Sequence, residues 1–221
     1  MNYLISKFFN YDQLRSIQKI MGESEWHNGL QSLTKSQKFP DKDLSLVKKN
    51  FQCNLDHPIV FNGLDNNLEF LNFTYAKHSS VPMGTKTPKG GYYRPHFDHI
   101  NCGHFSTTVF LNPPNSYHGG ELVLWLNCEE KKFKLDPGYG ITYETGTPHC
   151  VNDVTYGDRD VIVFWTTSYI PDMEDLRRWR YYDMMTARHD NGTDHMNLSK
   201  FSTSLHSHFR EKCNKIARKY L

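Results

Sequence analysis

Apolar and polar positions divide the chain into three parts. Near the start, Tyr11, Leu14, Ile17 and Met21 recur at the spacing of an amphipathic helix, and Asn10 stands where a capping side chain is needed. Residues 26–51 are polar and broken, with a short helix predicted over 44–49. From Leu68 the character changes. Residues 68–76 are aromatic-rich and strand-like. Residues 77–91 hold Pro82, Gly84, Pro88, Gly90 and Gly91, which predicts a long loop of the kind that serves as a lid. Short apolar runs then follow at 106–111, 121–126, 132–135, 140–143, 150–154 and 161–167. Turn residues such as Pro113-Pro114, Gly119-Gly120 and Asp136-Pro137-Gly138 separate them. Short strands so spaced predict a sandwich or barrel, and a jelly roll fits. Beyond Pro171 the helical period returns, on Met173, Leu176, Trp179 and Tyr182 over 172–186, and on Leu205, Phe209, Cys213, Ile216 and Tyr220 over 204–220.

Length changes this picture little: 221 residues suit one domain. Within 1–221, residues 1–60 would support a jelly-roll core at 68–170, and residues 171–221 would add C-terminal helices. A hydrophobic content of 38% with 23% charged residues excludes a disordered or fibrous chain. The net charge of +2 excludes a strongly basic nucleic-acid coat, though not a local basic groove. Five cysteines, none in a C-x-x-C pair, argue against a disulfide framework or a cysteine zinc module and for reduced thiols. No leader-like start and no long apolar run stand out, so a cytoplasmic protein without membrane contact is expected. Twelve histidines turn attention to metals.

The segment that carries chemistry is Tyr93-Arg94-Pro95-His96-Phe97-Asp98. In an extended chain, positions i and i+2 share a side, so His96 and Asp98 can present an imidazole and a carboxylate to one ion. His149, at the start of a later strand, would return to the same mouth of a jelly roll. Two histidines and one carboxylate on one face leave three open positions, the arrangement of non-haem Fe(II) oxygenases. Alone, an H-x-D pair is common by chance. Arg159 adds to it: at the start of the run 161–167, its guanidinium fork could grip a carboxylate in the same cavity. The alternative is a surface arginine paired with Asp158 or Asp160.

Further segments lie around this core. Trp26-His27-Asn28-Gly29 and Val47-Lys48-Lys49-Asn50-Phe51-Gln52 precede it. Tyr93-x-x-His96-x-Asp98, Thr107-Thr108-Val109-Phe110-Leu111 and Tyr117-His118-Gly119-Gly120-Glu121-Leu122 form its centre. His149-x-Val151-x-x-Val154-Thr155-x-Gly157-x-Arg159 and Phe164-Trp165-x-x-Ser168 close it. In this order they resemble the iron/2-oxoglutarate-dependent dioxygenases of the prolyl 4-hydroxylase superfamily, and look closest to the PKHD-type hydroxylases. The resemblance implies a double-stranded β-helix with iron ligands at His96, Asp98 and His149. It implies that Arg159 binds the distal carboxylate of 2-oxoglutarate, and that Tyr75, Tyr93 and Trp165 line the co-substrate site. Fe(II), 2-oxoglutarate, O2 and ascorbate are the implied cofactors; succinate and CO2 are the implied co-products. Asp98 favours hydroxylation over halogenation, because a small residue there would open a position for halide. The resemblance favours a prolyl residue in a peptide as substrate. Another side chain, a free amino acid, or a jelly-roll binding module without turnover are the alternatives. A nucleic-acid demethylase fits less well: it would carry a second arginine where Trp165 stands. His99 would face away from Asp98, His118 sits in a turn, Cys102-x-His104 is too short for zinc, and Cys102 and Cys150 are expected to be buried, inert thiols.

Overall fold

The computed structural model describes residues 2–33, 43–190 and 200–221. In chain order the first strands are β1 (Tyr3–Lys7), β2 (His27–Asn28), β3 (Lys48–Lys49), β4 (Phe51–Asn54), β5 (Ala76–Ser79), β6 (Met83–Thr87), β7 (Tyr92–His96) and β8 (Phe105–Phe110). They continue as β9 (His118–Gly119), β10 (Leu122–Leu126), β11 (Glu129–Phe133), β12 (Tyr139–Glu144), β13 (His149–Val151), β14 (Val154–Tyr156) and β15 (Arg159–Ser168). The α-helices are α1 (Tyr11–Glu23), α2 (Pro58–Asp65), α3 (Leu68–Thr74), α4 (Met173–Asp190) and α5 (Lys200–Ala217).

Among the described residues, the larger sheet runs β1-β12-β8-β15-β6-β4-β2, with β5 also pairing β15. The smaller runs β11-β10-β13-β7-β3, and β14 pairs β9. Side chains from both sheets meet in one core: Phe110, Ile141, Tyr143 and Val161 from the larger, Leu122, Leu124, Leu126 and Phe133 from the smaller. That is the jelly roll the strand pattern predicts.

The larger sheet is covered on its other face as well. Helix α1 contributes Leu14, Ile17 and Met21, which pack with Val109, Ile162 and Phe164. Its start is fixed by a reciprocal cap: the Gln13 backbone N–H donates to Asn10 Oδ1, and the Asn10 backbone N–H donates to Gln13 Oε1, each at 2.9 Å. Helices α4 and α5 close a third cluster through Leu176 and Ile216 against Phe73 and Phe105. Strand β15 is therefore buried on both sides. One face, Ile162 and Phe164, meets the helices, and the other, Arg159, Val161, Val163 and Trp165, faces a cavity between the sheets. No helix among the described residues is long and apolar enough to cross a membrane.

The runs at 106–111, 121–126, 140–143 and 161–167 correspond to β8, β10, β12 and β15, and the helices α1, α4 and α5 are where the period puts them. Other expectations change. Residues 68–74 are helix α3, not a strand: Asn67 Oδ1 accepts the Phe70 N–H at 3.0 Å, and Phe70 and Phe73 bury at helical spacing. Residues 77–91 are not a lid loop. Most of them belong to β5 and β6, hydrogen-bonded to β15, so they form a wall. Gly84 serves close packing rather than a turn, since a Cβ there would lie 2.6 Å from Cys53 Sγ. The helix expected at 44–49 shrinks to one 3-10 turn, Leu44–Leu46, followed by β3. The run at 132–135 shifts to β11, and 150–154 divides between β13 and β14. The N-terminal region also supplies strands of the core sheets, β1 beside β12 and β4 beside β6, rather than a mere support.

Candidate metal and co-substrate site

Strands β7 and β13 are antiparallel neighbours, and their register sets His96 directly opposite His149. The two imidazoles lie 4.1 Å apart between ring centroids. Each is held in the same way. His96 Nδ1 donates to the Arg94 carbonyl at 2.8 Å, and His149 Nδ1 donates to the Thr147 carbonyl at 2.9 Å. A carbonyl only accepts, so both Nδ1 atoms carry the proton and both Nε2 lone pairs are free. Those Nε2 atoms point at Asp98, 3.8 Å from its Oδ1 for His96 and 3.7 Å from its Oδ2 for His149.

Asp98 is itself anchored. Ser106 Oγ and the Trp165 indole N–H both donate to its Oδ2 at 2.9 Å. The ligand atoms of His96, Asp98 and His149 all fall within 4.8 Å of one another. Burial and the neighbouring His149 pull the His96 imidazole down to about 3, so it stays neutral and able to bind metal at ordinary pH. Tyr93 stacks on His96 at 3.5 Å between centroids, with the rings 18° apart, which fixes the plane of that imidazole. Two imidazoles that turn Nε2 toward the cluster and one hydrogen-bonded carboxylate are a donor set suited to a divalent first-row metal, and they fit Fe(II).

The cluster opens into a cavity of ≈330 Å³. Arg159 lies in its wall with only 2% of its surface exposed. Its Nε has no hydrogen-bond partner among the described residues. Asp160 points to the other side of the strand and accepts from Asn112 at 3.4 Å, so the surface ion-pair alternative is overturned. Arg159 packs over the Phe110 ring at 5.4 Å, and the turn at Gly120 (φ +68) lies against it, where a Cβ would come within 3.1 Å of Arg159 Cδ. Tyr143 shares this buried end; burial raises its phenol well above the ordinary range, so it remains a neutral donor. A buried guanidinium with no carboxylate paired to it among the described residues, beside a neutral phenol, is a seat for an anion, and it fits the distal carboxylate of 2-oxoglutarate.

The structure thus brings His96, Asp98, His149, Arg159, Tyr93 and Trp165 to one cavity. Tyr75 is not among its lining residues. It caps α3 in the left-handed region (φ 47) and packs on Trp179 at 4.1 Å and Tyr169 at 5.6 Å. Its expected co-substrate contact is corrected, because the helix turns its ring toward α4. His99 caps the 3-10 turn Ile100–Cys102, and His104 Nδ1 accepts the Ser168 N–H at 2.9 Å. Cys102 is exposed rather than buried, while Cys150 is buried as expected. Sequence reasoning missed Ser106, Tyr143 and Lys48. Only Lys48 carried a signal, a polar alternation with Asn50 and Gln52.

The family model of the 2OG-Fe(II) oxygenase superfamily matches residues 82–167, which span β6 through almost all of β15. A PKHD-type hydroxylase of Prochlorococcus marinus is 33% identical over 184 residues, covering 80% of this chain and 83% of that protein. Among solved structures, a Pseudomonas putida prolyl-4-hydroxylase aligns with a TM-score of 0.57 at 16% identity, covering 76% of this chain and 92% of that one. A Trichoplax adhaerens prolyl hydroxylase, solved in complex with a hypoxia inducible factor peptide fragment, gives 0.61 at 14% identity, with coverage of 77% and 85%. At such low identity the structures speak for the double-stranded β-helix fold. With a third of its residues shared along most of both chains, this protein belongs to the PKHD-type hydroxylases of the 2OG-Fe(II) oxygenase superfamily.

Proposed function

We propose that the protein hydroxylates a prolyl residue of a peptide or protein, consuming 2-oxoglutarate and O2 and releasing succinate and CO2. The observation that carries this is the convergence of His96, Asp98 and His149 in the same cavity as a buried arginine whose Nε has no hydrogen-bond partner among the described residues. Iron and 2-oxoglutarate supply, when bound, the oxidising chemistry that inserts oxygen into a C–H bond. The chain's residues do the rest. His96, Asp98 and His149 would hold the metal. Arg159 would take the far carboxylate of 2-oxoglutarate, with Tyr143 donating beside it. Trp165 and Ser106 keep one carboxylate oxygen of Asp98 in place, and Tyr93 keeps the His96 ring in plane.

A peptide substrate is supported by the shape of the site. A second cavity of ≈390 Å³ adjoins the first and shares Ser32, Gln52 and Met83 with it, which gives an extended substrate room to lie beside the site. The peptide-bound Trichoplax relative uses the same fold. Five free thiols, two of them exposed, support the expected reducing cytoplasmic setting. The test is mass spectrometry of proline-containing peptides incubated with the protein, Fe(II), 2-oxoglutarate and ascorbate as reductant. The expected product gains one oxygen atom on proline, only with 2-oxoglutarate present and not with Asp98→Ala. Product on another residue would move the substrate class. No succinate under any condition would remove the enzyme reading.

A further inference from the structure

Strands β3 and β4 carry their polar residues on the inside. Lys48, Asn50 and Gln52 alternate along residues 48–52, are only 3%, 7% and 9% exposed, and all line the cavity. The intervening Phe51 is 45% exposed. A strand packed for stability alone does the opposite, because burying an ammonium without a counter-charge is unfavourable. Lys48 Nζ donates to Ser32 Oγ at 2.8 Å and sits 4.5 Å from the centre of the Tyr93 ring, but pairs with no carboxylate among the described residues. Asn50 Oδ1 and Thr85 Oγ1, in the same wall, have no hydrogen-bond partner among the described residues.

Position separates this cation from Arg159. The charged and phenolic neighbours of Arg159 are Tyr117, Tyr143, Asp160 and Glu121, whereas the charge that acts on Lys48 is Asp98. Lys48 lies on the side of the second cavity, since its partner Ser32 lines both. Charge balance is the second consideration. Lys48, Arg159 and Asp98 are the lining residues charged at neutral pH, which leaves one positive charge in excess. Fe(II) and the 2-oxoglutarate dianion cancel each other, so the loaded cavity keeps that excess. Once Asp98 is committed to a metal, Lys48 has no anion left.

We propose that Lys48 is a specificity residue that binds a carboxylate of the primary substrate beside the target carbon, with the Thr85 hydroxyl offering a hydrogen bond next to it. The proposal rests on the oxygenase function above. The carboxylate comes either from an acidic side chain flanking the target residue or from a chain terminus.

Both sources are tested by binding without turnover, on protein loaded with zinc in place of iron and with 2-oxoglutarate. The probes are short, acetylated and amidated proline-centred peptides bearing Glu or Gln at each flanking position, and the same Gln peptides with a free C-terminal carboxylate. The wild type is expected to bind one carboxylate-bearing probe about tenfold or more tightly than its neutral counterpart. The Glu arm and the free-terminus arm tell which source it is. In Lys48→Met that preference is expected to fall below about twofold, with the dissociation constant of 2-oxoglutarate shifted by less than about twofold. A wild type that binds no carboxylate probe preferentially overturns the proposal, as does a variant that keeps the preference. A variant that loses 2-oxoglutarate binding overturns it too, by making Lys48 a co-substrate residue. If the variant does not fold, the wild-type comparison alone decides. The underlying function fails separately, if the wild type binds no 2-oxoglutarate in the absence of peptide.

Discussion

Each candidate ligand is oriented by a contact that leaves its metal-facing atom free. The two imidazoles spend their Nδ1 protons on carbonyls two residues earlier in the chain, and Asp98 has Oδ2 held by Ser106 and Trp165. Such outer contacts are worth about 10–100-fold in metal affinity. Trp165→Phe keeps the ring in the wall and removes one N–H donor, so Co(II) or Mn(II) titration should show a loss of roughly tenfold, with Ser106→Ala similar. Unchanged affinity in both variants would strip these contacts of their positioning role. Arg159→Ala should raise the 2-oxoglutarate concentration needed for turnover by about a hundredfold while metal affinity holds, because a buried charge-assisted contact is lost and the ligands lie elsewhere. Arg159→Lys should be milder, keeping the charge without the fork. Equal apparent affinities for 2-oxoglutarate in all three proteins would return Arg159 to a structural role. His96, Asp98, His149 and Arg159 were legible in the sequence because motif order places them. Ser106 and Tyr143 were not, because they reach the site through cross-strand register: Ser106 opposes both Tyr143 and Trp165.

At the scale of elements, the strand pattern of the jelly roll was readable wherever apolar runs were bounded by turns. It failed in residues 68–91, where local chemistry misleads. Phe70, Phe73 and Tyr75 have high strand propensity, yet an asparagine cap and one buried face made a helix of the first two. The glycines and prolines of residues 77–91 suggested a loop, yet Gly84 is there because β4 approaches too closely for a side chain. The inverted strands β3 and β4, one in each sheet, offer a test at this scale. Burial holds the Lys48 ammonium at about 8, down from its ordinary 10.5. Below pH 8 both folded and unfolded chains hold that proton, and the penalty for burying the charge is fully present. Between about 8 and 10.5 the folded lysine has lost the proton that the unfolded one still binds, so stability rises with pH. Lys48→Met should therefore be more stable than the wild type by roughly 3 kcal/mol at pH 7, in urea titrations without metal. The gap should close as pH is raised to 10.5. A variant less stable at pH 7, or a gap independent of pH, would mean that the Ser32 and Tyr93 contacts outweigh the desolvation.

At the scale of the molecule, the site is a product of sheet closure. His96 and Asp98 come from the end of β7 and the residues just after it, and His149 from β13, while Ser106 and Trp165 reach across from the facing sheet. A metal bound there ties β7 to β13 within the smaller sheet, and through Asp98 it adjoins Ser106 and Trp165 of the larger one; an unfolded chain, which scatters these residues, binds it weakly. Such binding stabilises by RT ln(1 + [L]/Kd), about 2.7 kcal/mol at a hundred times the dissociation constant. For a chain of this size each kcal/mol raises the melting temperature by about 2–4 °C, so saturating Mn(II) should raise it by roughly 5–10 °C, and a chelator should reverse the gain. Asp98→Asn preserves the shape and the Trp165 contact but removes the anionic ligand, so its own melting temperature without metal should stay within a few degrees of the wild type while the metal-induced rise largely disappears. An increase of equal size in wild type and Asp98→Asn would place the stabilising ion somewhere other than at the His96, Asp98 and His149 cluster. The opposite result, no rise in either protein at concentrations that support turnover, would mean that the β7–β13 pairing is complete without metal and that the ion adds chemistry but no cohesion.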